Sequence, residues 1–444
     1  MSDQMIETDP AEGGPLRLDS SDHDFEAEFA ALLGAKREEA ADVRAVAEKI
    51  VEDVRKHGDL SLCAHTQKLD KVEVVPNTLR ITDDELDAAL EETDPDVLDA
   101  LDLAATRIQS HHERQIPQND QYTDELGVTL GSRWTPLDAV GLYVPGGTAN
   151  YPSSVLMNAI PAKVAGVERL VMVVPTPNGV INPAVLAAAR RGGVDEIYRV
   201  GGAQAIAALA YGTNTIAPVA KIVGPGNAYV AAAKRAVFGT VGIDMIAGPS
   251  EVLVIADDTA NPEWVAADLL AQAEHDMAAQ SIVISLDPLL CDAIAQAVEA
   301  QLATLERSKI AGASWADYGA IIQVETRDKA VELANRVAAE HLELAVRAPE
   351  ELMDGIRHAG AIFLGHHTPE AIGDYVGGSN HVLPTARSAR FSSGLSVLDF
   401  MKRTSVLSCT PEALAALGPS AITLANTEGL TAHARSVAIR SNQT

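Results

Sequence analysis

Nitrogen and oxygen donors that could hold a metal ion are concentrated in the last two-fifths of this 444-residue chain. Seven of its twelve histidines lie at or after His275. Gln272 and His275 stand three residues apart in a predicted helix over 262–276, so both would face the same side. Asp374, His381 and His433 follow. Such side chains bind zinc, but glutamine is an uncommon ligand, so hydrogen bonding or a solvated helix face stay open as alternatives.

A candidate acid–base pair, Glu340 and His341, lies at the end of a helix predicted over 329–342. Adjacent helical residues diverge by about 100°, so the two side chains could serve different atoms of one substrate. A histidine can take the proton of an alcohol near neutral pH, and a carboxylate can activate water. The structural alternative is a helix-end histidine that the helix dipole favours.

Three predicted strands end in glycine, at 145–147, 201–202 and 224–226. Glycine lets a backbone approach a phosphate closely, and a helix N-terminus, which favours anions, follows each stretch. In α/β proteins, ligands bind at the carboxyl ends of parallel strands. These features indicate a nucleotide site. However, the Gly-x-Gly-x-x-Gly fingerprint is absent, and ordinary strand–helix turns explain such glycines equally well.

Other polar motifs favour no separate chemistry. His366 and His367 are interpreted as a polar loop, and His111 and His112 as the end of a charged helix. Ser250 lacks the Gly-x-Ser-x-Gly pattern of a hydrolase nucleophile, so it is interpreted as an anchoring hydroxyl.

The elements that must position these residues predict an α/β protein. Residues 1–25 are polar and acidic and indicate an arm or a disordered start, and helices follow to about residue 112, with a capping box at Thr82 and Glu85. Apolar strands alternate with helices from about residue 137, which predicts parallel sheets covered on both faces. After residue 392 the strand signal fades, and helices are predicted over 411–417, 419–426 and 428–439.

Bulk properties limit the class of protein. The length favours two or more domains. A net charge of -28 argues against binding nucleic acid or an anionic membrane surface. Three scattered cysteines argue against a disulfide framework, and neither a secretory signal nor a membrane span is found, so a cytoplasmic protein is expected.

Taken together, these motifs resemble those of the histidinol dehydrogenase family. The resemblance runs in order over roughly residues 30–440, although residues 1–30 have no counterpart and the stretch 386–390 is more basic than in the family. The matching stretches are 140–147, 200–206, 223–227, 247–251, 272–275, 340–342, 378–385, 391–397 and 428–433.

The resemblance implies a role for each matching residue. The zinc ligands would be Gln272, His275, Asp374 and His433, with one zinc per subunit. The NAD contacts would be Tyr143, Gln204 and Asn227. Substrate would contact the same zinc ligands together with Ser250, His341, His381 and Glu428. His341 would be the general base and Glu340 the residue that activates water. The implied reaction is the oxidation of L-histidinol through L-histidinal to L-histidine with two NAD, the last step of histidine biosynthesis.

The resemblance also implies an architecture of two Rossmann-like parallel-sheet domains with a helical N-terminal arm and a C-terminal dimerising tail. We expect an arm at 1–30, a discontinuous first domain at 31–138 and 251–385 that carries most zinc and catalytic residues, and an inserted NAD-binding domain at 139–250. The helical tail at 386–444 would be exchanged between the subunits of a homodimer, so that Glu428 and His433 complete the partner's site.

Two other enzymatic functions stay open from the sequence, while intact donor residues at every candidate site argue against a third option, a catalytically inactive binding subunit. One is a paralogous NAD-dependent dehydrogenase that acts on another small polar alcohol. The other is a zinc hydrolase with Glu340 as its base, which the glycine-ended strands and the absence of a His-Glu-x-x-His motif disfavour.

Overall fold

The computed structural model describes residues 14–35, 41–146, 151–246 and 248–441. The strands, in chain order, are β1 (Leu16–Asp19), β2 (Asp120–Thr123), β3 (Val128–Pro136), β4 (Ala139–Tyr143), β5 (Arg169–Val173), β6 (Glu196–Tyr198), β7 (Lys221–Val223), β8 (Gly242–Ile243), β9 (Glu251–Ala256), β10 (Gln280–Ser285), β11 (Ala320–Gln323), β12 (His341–Ala345), β13 (Ala361–Leu364) and β14 (Met401–Cys409).

The helices connect and cover these strands. In chain order they are α1 (Phe25–Gly34), α2 (Ala41–His57), α3 (Asp59–Asp70), α4 (Asp83–Glu92), α5 (Pro95–Glu113), α6 (Pro152–Val164), α7 (Pro183–Arg191), α8 (Gly202–Tyr211), α9 (Ala228–Val237), α10 (Pro262–Ala273), α11 (Pro288–Leu302), α12 (Ser308–Tyr318), α13 (Arg327–Val337), α14 (Pro349–Met353), α15 (Glu370–Tyr375), α16 (Pro411–Thr427) and α17 (Thr431–Ala438). Within the described ranges, no helix has both the length and the apolar character needed to cross a bilayer.

Two parallel sheets form the framework, as the sequence predicted. One has six strands in the order β1-β11-β10-β9-β12-β13, and the other has five in the order β6-β5-β4-β7-β8. Every pairing within them is parallel. Their central strands are buried on both faces, because helices cover each side.

The six-stranded sheet lies between two apolar cores, one on each face. Successive side chains along a strand point to opposite faces, so they enter different cores. Leu253 and Ile255 of β9 join the core on the side of α1 and α13. Val252 and Val254 join the core on the side of α10 and α11. In the neighbouring strand β12, His341 and Glu343 pair with Val252 and Val254, so their side chains face α10.

The described part of the N-terminal segment is an ordered arm, so the alternative of a disordered start was wrong there. Residues 1–13 lie outside the described part, but β1 pairs in parallel with β11 along its whole length, and Phe25 and Phe29 of α1 are buried in the core. The arm therefore adds an edge strand and a covering helix to the six-stranded sheet.

Helices α2 to α5 pack on the five-stranded sheet rather than on the six-stranded one. Helix α2 lies against α8 and α9, and α5 lies against α6. Their buried apolar residues belong to the two cores of the five-stranded sheet. This packing differs from the expected grouping of 31–138 with 251–385, while the domain boundaries themselves stay a prediction. The predicted capping box is confirmed, since the Thr82 hydroxyl accepts from the Glu85 amide and the Thr82 amide donates back to the Glu85 carboxylate.

The tail also differs from the prediction of helices alone. It begins with the nine-residue strand β14, which pairs antiparallel with β3, while β2 pairs on the other side of β3. The two helices predicted over 411–417 and 419–426 are one helix, α16, with Pro419 inside it. Helices α16 and α17 pack chiefly on each other, so the tail leaves much of its surface exposed.

Candidate active site

Glu340 and His341 do not end a helix, and that prediction was wrong. Helix α13 stops at Val337, and Ala338 takes a left-handed conformation with φ of 48°. The chain then enters β12, whose first residue is His341. Both side chains of the pair are buried, at the amino end of the six-stranded sheet. Ligands usually bind at the opposite, carboxyl end of such a sheet.

Three carboxylates surround the His341 ring. Its Nε2 lies 3.4 Å from Oδ1 of Asp374, and its Nδ1 lies 3.5 Å from Oε2 of Glu370 and 4.0 Å from Oε2 of Glu340. Burial alone would lower the pKa of His341, but the charges of Glu370, Glu340 and Asp374 outweigh it and raise the pKa to about 10. The site therefore stabilises a positive imidazolium strongly.

The backbone selects which nitrogen of His341 can act as a base. Nδ1 lies 3.3 Å from the carbonyl oxygen of Glu251, so an Nδ1–H can donate to it. In the neutral ring this leaves the lone pair on Nε2, which has no hydrogen-bond partner although it is buried. Glu340 is fixed in turn, because its Oε2 accepts from the Glu251 amide at 3.1 Å. Burial raises the pKa of Glu340 to about 7, against the charge of His341.

Asp374 and His381 form the next part of the site. Asp374 lies on α15, and its carbonyl oxygen is 2.8 Å from Nδ1 of His381. Nε2 of His381 lies 3.1 Å from the hydroxyl of Ser154. Ser154 is on α6, the helix that follows strand β4 of the five-stranded sheet. Burial would raise the pKa of Asp374, but its ion pair with the His341 ring and the charges of His381 and His275 hold it below the usual value. A helix that follows a strand of the five-stranded sheet thus meets the segment that follows the six-stranded sheet.

Gln272 and His275 lie on the other side of the same cluster. Gln272 is in the last turn of α10, fully buried, and neither its amide nitrogen nor its oxygen has a hydrogen-bond partner. His275 lies two residues beyond the helix end, so the prediction that Gln272 and His275 share one helix was wrong. The His275 amide still donates a hydrogen bond to the Gln272 carbonyl. His275 is at the exposed rim, yet desolvation of its ring lowers its pKa, and the charges of Asp374, His341 and His381 also act on it.

The described part of the chain does not bring the whole predicted ligand set together. Among the described residues, no group of three or more His, Cys, Asp or Glu side chains is arranged to hold a metal ion. His433 on α17 is exposed, and so is Glu428 at the end of α16. Neither of these two residues, which the resemblance assigns to the partner's tail, is buried alongside Gln272.

The three predicted NAD contacts lie together at the carboxyl end of the five-stranded sheet. Tyr143 ends β4, and its hydroxyl accepts from the Gly202 amide at 3.0 Å, where α8 begins. Burial raises the pKa of Tyr143 to about 12. Gln204, in the first turn of α8, is fully buried, and both polar atoms of its side chain are unpartnered. Asn227 caps α9 by accepting from the amides of Tyr229 and Val230.

The glycines at this edge have a packing role that the sequence did not reveal. A Cβ on Gly201 would lie 2.4 Å from Cβ of Pro175, and one on Gly146 would lie 2.6 Å from Cγ of the same proline. A Cβ on Gly224, whose φ is +108°, would lie 2.1 Å from the carbonyl oxygen of Tyr143. The predicted glycine at 147 lies outside the described residues. The chain's own close contacts therefore account for Gly146, Gly201 and Gly224.

Ser250 precedes β9 at the amino end of the six-stranded sheet, next to Glu251 and on the same edge as His341. Its carbonyl oxygen accepts from the Gln280 amide at 3.0 Å, which holds its backbone in place. Residue 247 of the matching stretch 247–251 lies outside the described residues.

Comparisons with known proteins settle the family. The sequence profile of the histidinol dehydrogenase family matches residues 34–441. Histidinol dehydrogenase from Agrobacterium fabrum is 67% identical over 425 residues, 96% of this chain and 98% of that protein. The Rhizobium meliloti protein of the same name is 65% identical over 427 residues, with 96% and 98% covered. The crystal structure of histidinol dehydrogenase from Elizabethkingia anophelis matches with a TM-score of 0.92 at 37% identity, covering 96% of this chain and 98% of that one.

The chain belongs to the histidinol dehydrogenase family. The resemblance found in the sequence is thereby confirmed, together with the α/β fold class and the assignment to the oxidoreductases. The roles given to individual residues stay predictions.

Within this histidinol dehydrogenase fold, sequence reasoning missed Glu370, which is buried against His341, and Ser154, which contacts His381. It also missed Glu343 and Asp268, which lie behind His341. Ionisable and apolar residues alternate from His341 to Leu344, and this period of two is typical of a strand. Recognising that strand would have marked Glu343 as a buried charge on the same face as His341.

Proposed function

We propose that the chain oxidises L-histidinol to L-histidine through L-histidinal, with NAD as oxidant and zinc as resident metal, as the last step of histidine biosynthesis. One alcohol, two NAD⁺ and one water give one carboxylate, two NADH and three protons. The observation that carries this proposal is the buried His341–Glu340 pair beside Asp374, in a chain that is 67% identical to a histidinol dehydrogenase.

The donor atoms fit a zinc ion. A buried amide without partners costs about 1–3 kcal/mol, so the unpartnered Gln272 side chain favours an occupant that is absent from this chain alone. Gln272, His275 and Asp374 would hold the metal, with His433 of the other subunit as the fourth ligand. When bound, zinc would grip the imidazole and amine of histidinol and so fix the position of its carbinol carbon.

The edge of the five-stranded sheet fits NAD by the same reasoning. The Gln204 amide is buried and unpartnered next to the N-terminus of α8. Helix N-termini favour the charge of a pyrophosphate. Tyr143 and Asn227 are held rigidly beside it, the first by the Gly202 amide and the second as the cap of α9. These residues would bind and orient the cofactor, which accepts the hydride.

His341 and Glu340 would move the protons. Nε2 of His341 would take the proton of the alcohol, because the Glu251 carbonyl holds the other ring proton on Nδ1. The surrounding carboxylates stabilise the imidazolium that results. A carboxylic acid whose pKa is about 7 ionises near neutral pH, so Glu340 is poised to take a proton from the water that attacks the aldehyde.

A homodimer would complete and close the site. Large apolar side chains are exposed on the tail, among them Leu407, Leu424 and Ile439. Others are exposed near the mouth of the site, among them Met277 and Tyr375. Exchange of tails would cover both sets and bring the substrate contacts Glu428 and His433 to Ser250 and His381 of the other subunit. The three free cysteines and the acidic surface favour a cytoplasmic protein that binds neither nucleic acid nor membranes.

An assay of the purified protein tests the proposal. Histidinol should drive the formation of NADH, with two NADH per histidine, and a chelator should abolish it until zinc is restored. A panel of small polar alcohols serves as the control for a paralogous specificity. If another alcohol were oxidised and histidinol left unchanged, the substrate would be wrong. If the protein hydrolysed an ester or amide without NAD, the assignment to redox chemistry would be wrong.

A further inference from the structure

The turn that follows the matching stretch 378–385 has a strained backbone. Ala386 and Arg387 both take left-handed conformations, with φ of 51° and 61°. This conformation is unfavourable for residues other than glycine, which adopts it without a steric cost. The turn also lies in the stretch 386–390, which is more basic than in the family. An arginine that holds a position suited to glycine must therefore make contacts that offset the strain.

The guanidinium group of Arg387 joins three segments of the chain. Its Nε donates to the carbonyl oxygen of Leu33 at 3.2 Å, and its Nη1 donates to that of Val337 at 3.0 Å. Its Nη2 donates to Oε1 of Gln280 at 3.0 Å. Leu33 is in the last turn of α1, Val337 ends α13, and Gln280 begins β10. Each nitrogen of the group therefore contacts a different segment.

The ends of the two helices explain why a guanidinium suits this position. The last carbonyl groups of a helix have no partner inside the helix, and their partial negative charge favours a cation. A guanidinium offers five N–H groups in one fixed plane, so it can satisfy several acceptors at once. A lysine ammonium carries the same charge without that plane. Arg387 therefore holds together the ends of α1 and α13 and the start of β10.

The backbone of the same turn holds the start of β9. The Arg387 amide donates to Oε2 of Glu251 at 3.4 Å, and only 1% of Glu251 is exposed. Two residues before Arg387, the hydroxyl of Thr385 accepts from the Gly248 amide at 2.6 Å. The turn is thus fastened to the segment that leads into β9.

Glu251 and Val337 connect this turn to the proposed acid–base pair. The Glu251 amide donates to Oε2 of Glu340 at 3.1 Å, and the Glu251 carbonyl oxygen lies 3.3 Å from Nδ1 of His341. Val337 ends the helix that precedes the pair and stands three residues before Glu340. Arg387 therefore holds both segments that place Glu340 and His341.

We propose that Arg387 is a positioning residue that fixes Glu340 and His341 for proton transfer, through Glu251 and the end of α13. This inference rests on the proposed function. Arg387 acts on the chemical steps and leaves the binding of NAD unchanged, because the proposed NAD contacts lie at the five-stranded sheet. A misplacement of about 1 Å in a catalytic group can slow a reaction by about 100-fold.

Arg387→Ala tests this role in single turnovers with limiting histidinol. The rate constant of NADH formation at saturating enzyme describes folded sites only, so partial unfolding does not lower it. In the variant this rate constant should fall by about 10- to 100-fold. KM for NAD should be unchanged. A merely structural role would lower the folded fraction and the melting temperature but would leave the rate constant of the folded sites as it is.

Chemical rescue makes the test specific for the guanidinium. Methylguanidinium reproduces the lost plane of N–H groups, so it should raise the rate constant of Arg387→Ala several-fold and have no effect on the wild type. Methylammonium is the control for charge alone and should not restore the rate. Arg387→Lys should also be slow, because an ammonium cannot replace the planar group. If Arg387→Ala does not fold, Arg387→Lys carries the kinetic test.

Arg336 provides a matched control variant. It stands next to Val337 and also joins α13 to α1, because its guanidinium donates to the exposed Glu26 and lies over the Phe29 ring. Arg336→Ala should lower the melting temperature and leave the single-turnover rate constant unchanged. An equal loss of rate in Arg336→Ala would overturn the inference, since any weakening of the contact between the two helices would then slow the site.

The inference and the proposed function fail in different ways. A rate constant in Arg387→Ala equal to that of the wild type would overturn the positioning role, while the wild type still made NADH from histidinol. A lowered rate constant that methylguanidinium does not restore, with a raised KM for NAD, would also overturn it, since that pattern indicates a general loss of structure. No NADH from histidinol in the wild type would instead overturn the proposed function.

Discussion

At the scale of the residue, the charges around His341 determine whether its ring is neutral or protonated, and its position near other groups does not settle this. Three carboxylates favour the protonated ring, whereas a general base must begin neutral. A cation held by Asp374 would withdraw one of those negative charges and lower the pKa of His341 toward neutrality. In the proposed function, the metal at Asp374 would therefore also help His341 to begin the reaction as a neutral base.

Glu340→Gln separates the two oxidation steps. Only an ionised Glu340 can accept a proton from water, so the variant should oxidise histidinal at least about 100-fold more slowly while histidinol oxidation falls much less. In the wild type the aldehyde step should rise with pH through about 7, where the raised pKa of Glu340 lets the carboxylate form, and this rise should vanish in the variant. Single-turnover kinetics started from each substrate provide the measurement. Equal losses on both substrates would contradict the separate roles.

His275→Asn should remove the metal and leave the fold intact. The residue lies at the exposed rim beyond α10, so its replacement opens no cavity in the core. Metal content per subunit should fall to near zero and activity with it, while circular dichroism stays unchanged. His111→Asn, at an exposed position on α5, is the matched control and should keep both. Full metal content in His275→Asn would refute its assignment as a ligand.

At the scale of the element, the end of β4 at Tyr143 packs closely against Gly224, the residue after β7, and this contact holds Tyr143 in position. Gly224 follows β7 with φ of +108°, its amide donates to Asp244, and its carbonyl accepts from the buried Lys234. Gly224→Ala should therefore cost about 2 kcal/mol or more of stability, because the new Cβ would collide with the Tyr143 carbonyl.

The displaced Tyr143 should also raise KM for NAD several-fold while KM for histidinol changes little. Gly239→Ala is the control for backbone strain alone, since Gly239 has φ of +102° but open space around it. Thermal unfolding and steady-state kinetics on both variants separate the collision from the strain. A similar loss of stability in the two variants would contradict the packing role of Gly224.

The sequence predicted elements well wherever local pattern and long-range packing agree. The buried strands of both sheets and the capped helix α4 are such cases. It failed at 338–345, because Ala338, Glu340 and Leu342 suit a helix, and only pairing with β9 and β13 makes the segment a strand. It failed again at β14, an exposed strand without an apolar run, which is defined by its partner β3. The same failure hid Glu343, since its orientation depends on that strand.

At the scale of the whole molecule, the fold divides the candidate site residues between two parts of the chain. These are the tail at 386–444 and the body, which is the described part before residue 386. Gln272, His275 and Asp374 lie in the body near the buried base, whereas His433 and Glu428 lie exposed on helices that pack chiefly on each other. In the proposed dimer, a single subunit would hold halves of two different sites. If the halves combine across a two-fold axis, each active site takes its body from one subunit and its tail from the other.

Mixing two inactive variants tests this exchange. Dimers of His275→Asn and dimers of His433→Asn each lack a ligand in both sites. In a mixed dimer, one site joins a defective body to a defective tail, and the other joins an intact body to an intact tail. Random reassortment of equal amounts makes half of the dimers mixed, so about a quarter of wild-type activity should return. A double variant carrying both substitutions, mixed with the wild type, is the control, because its mixed dimers hold two sites with one defect each and add no activity. If the tail served its own subunit, the first mixture would stay inactive, since no subunit in it would have both ligands.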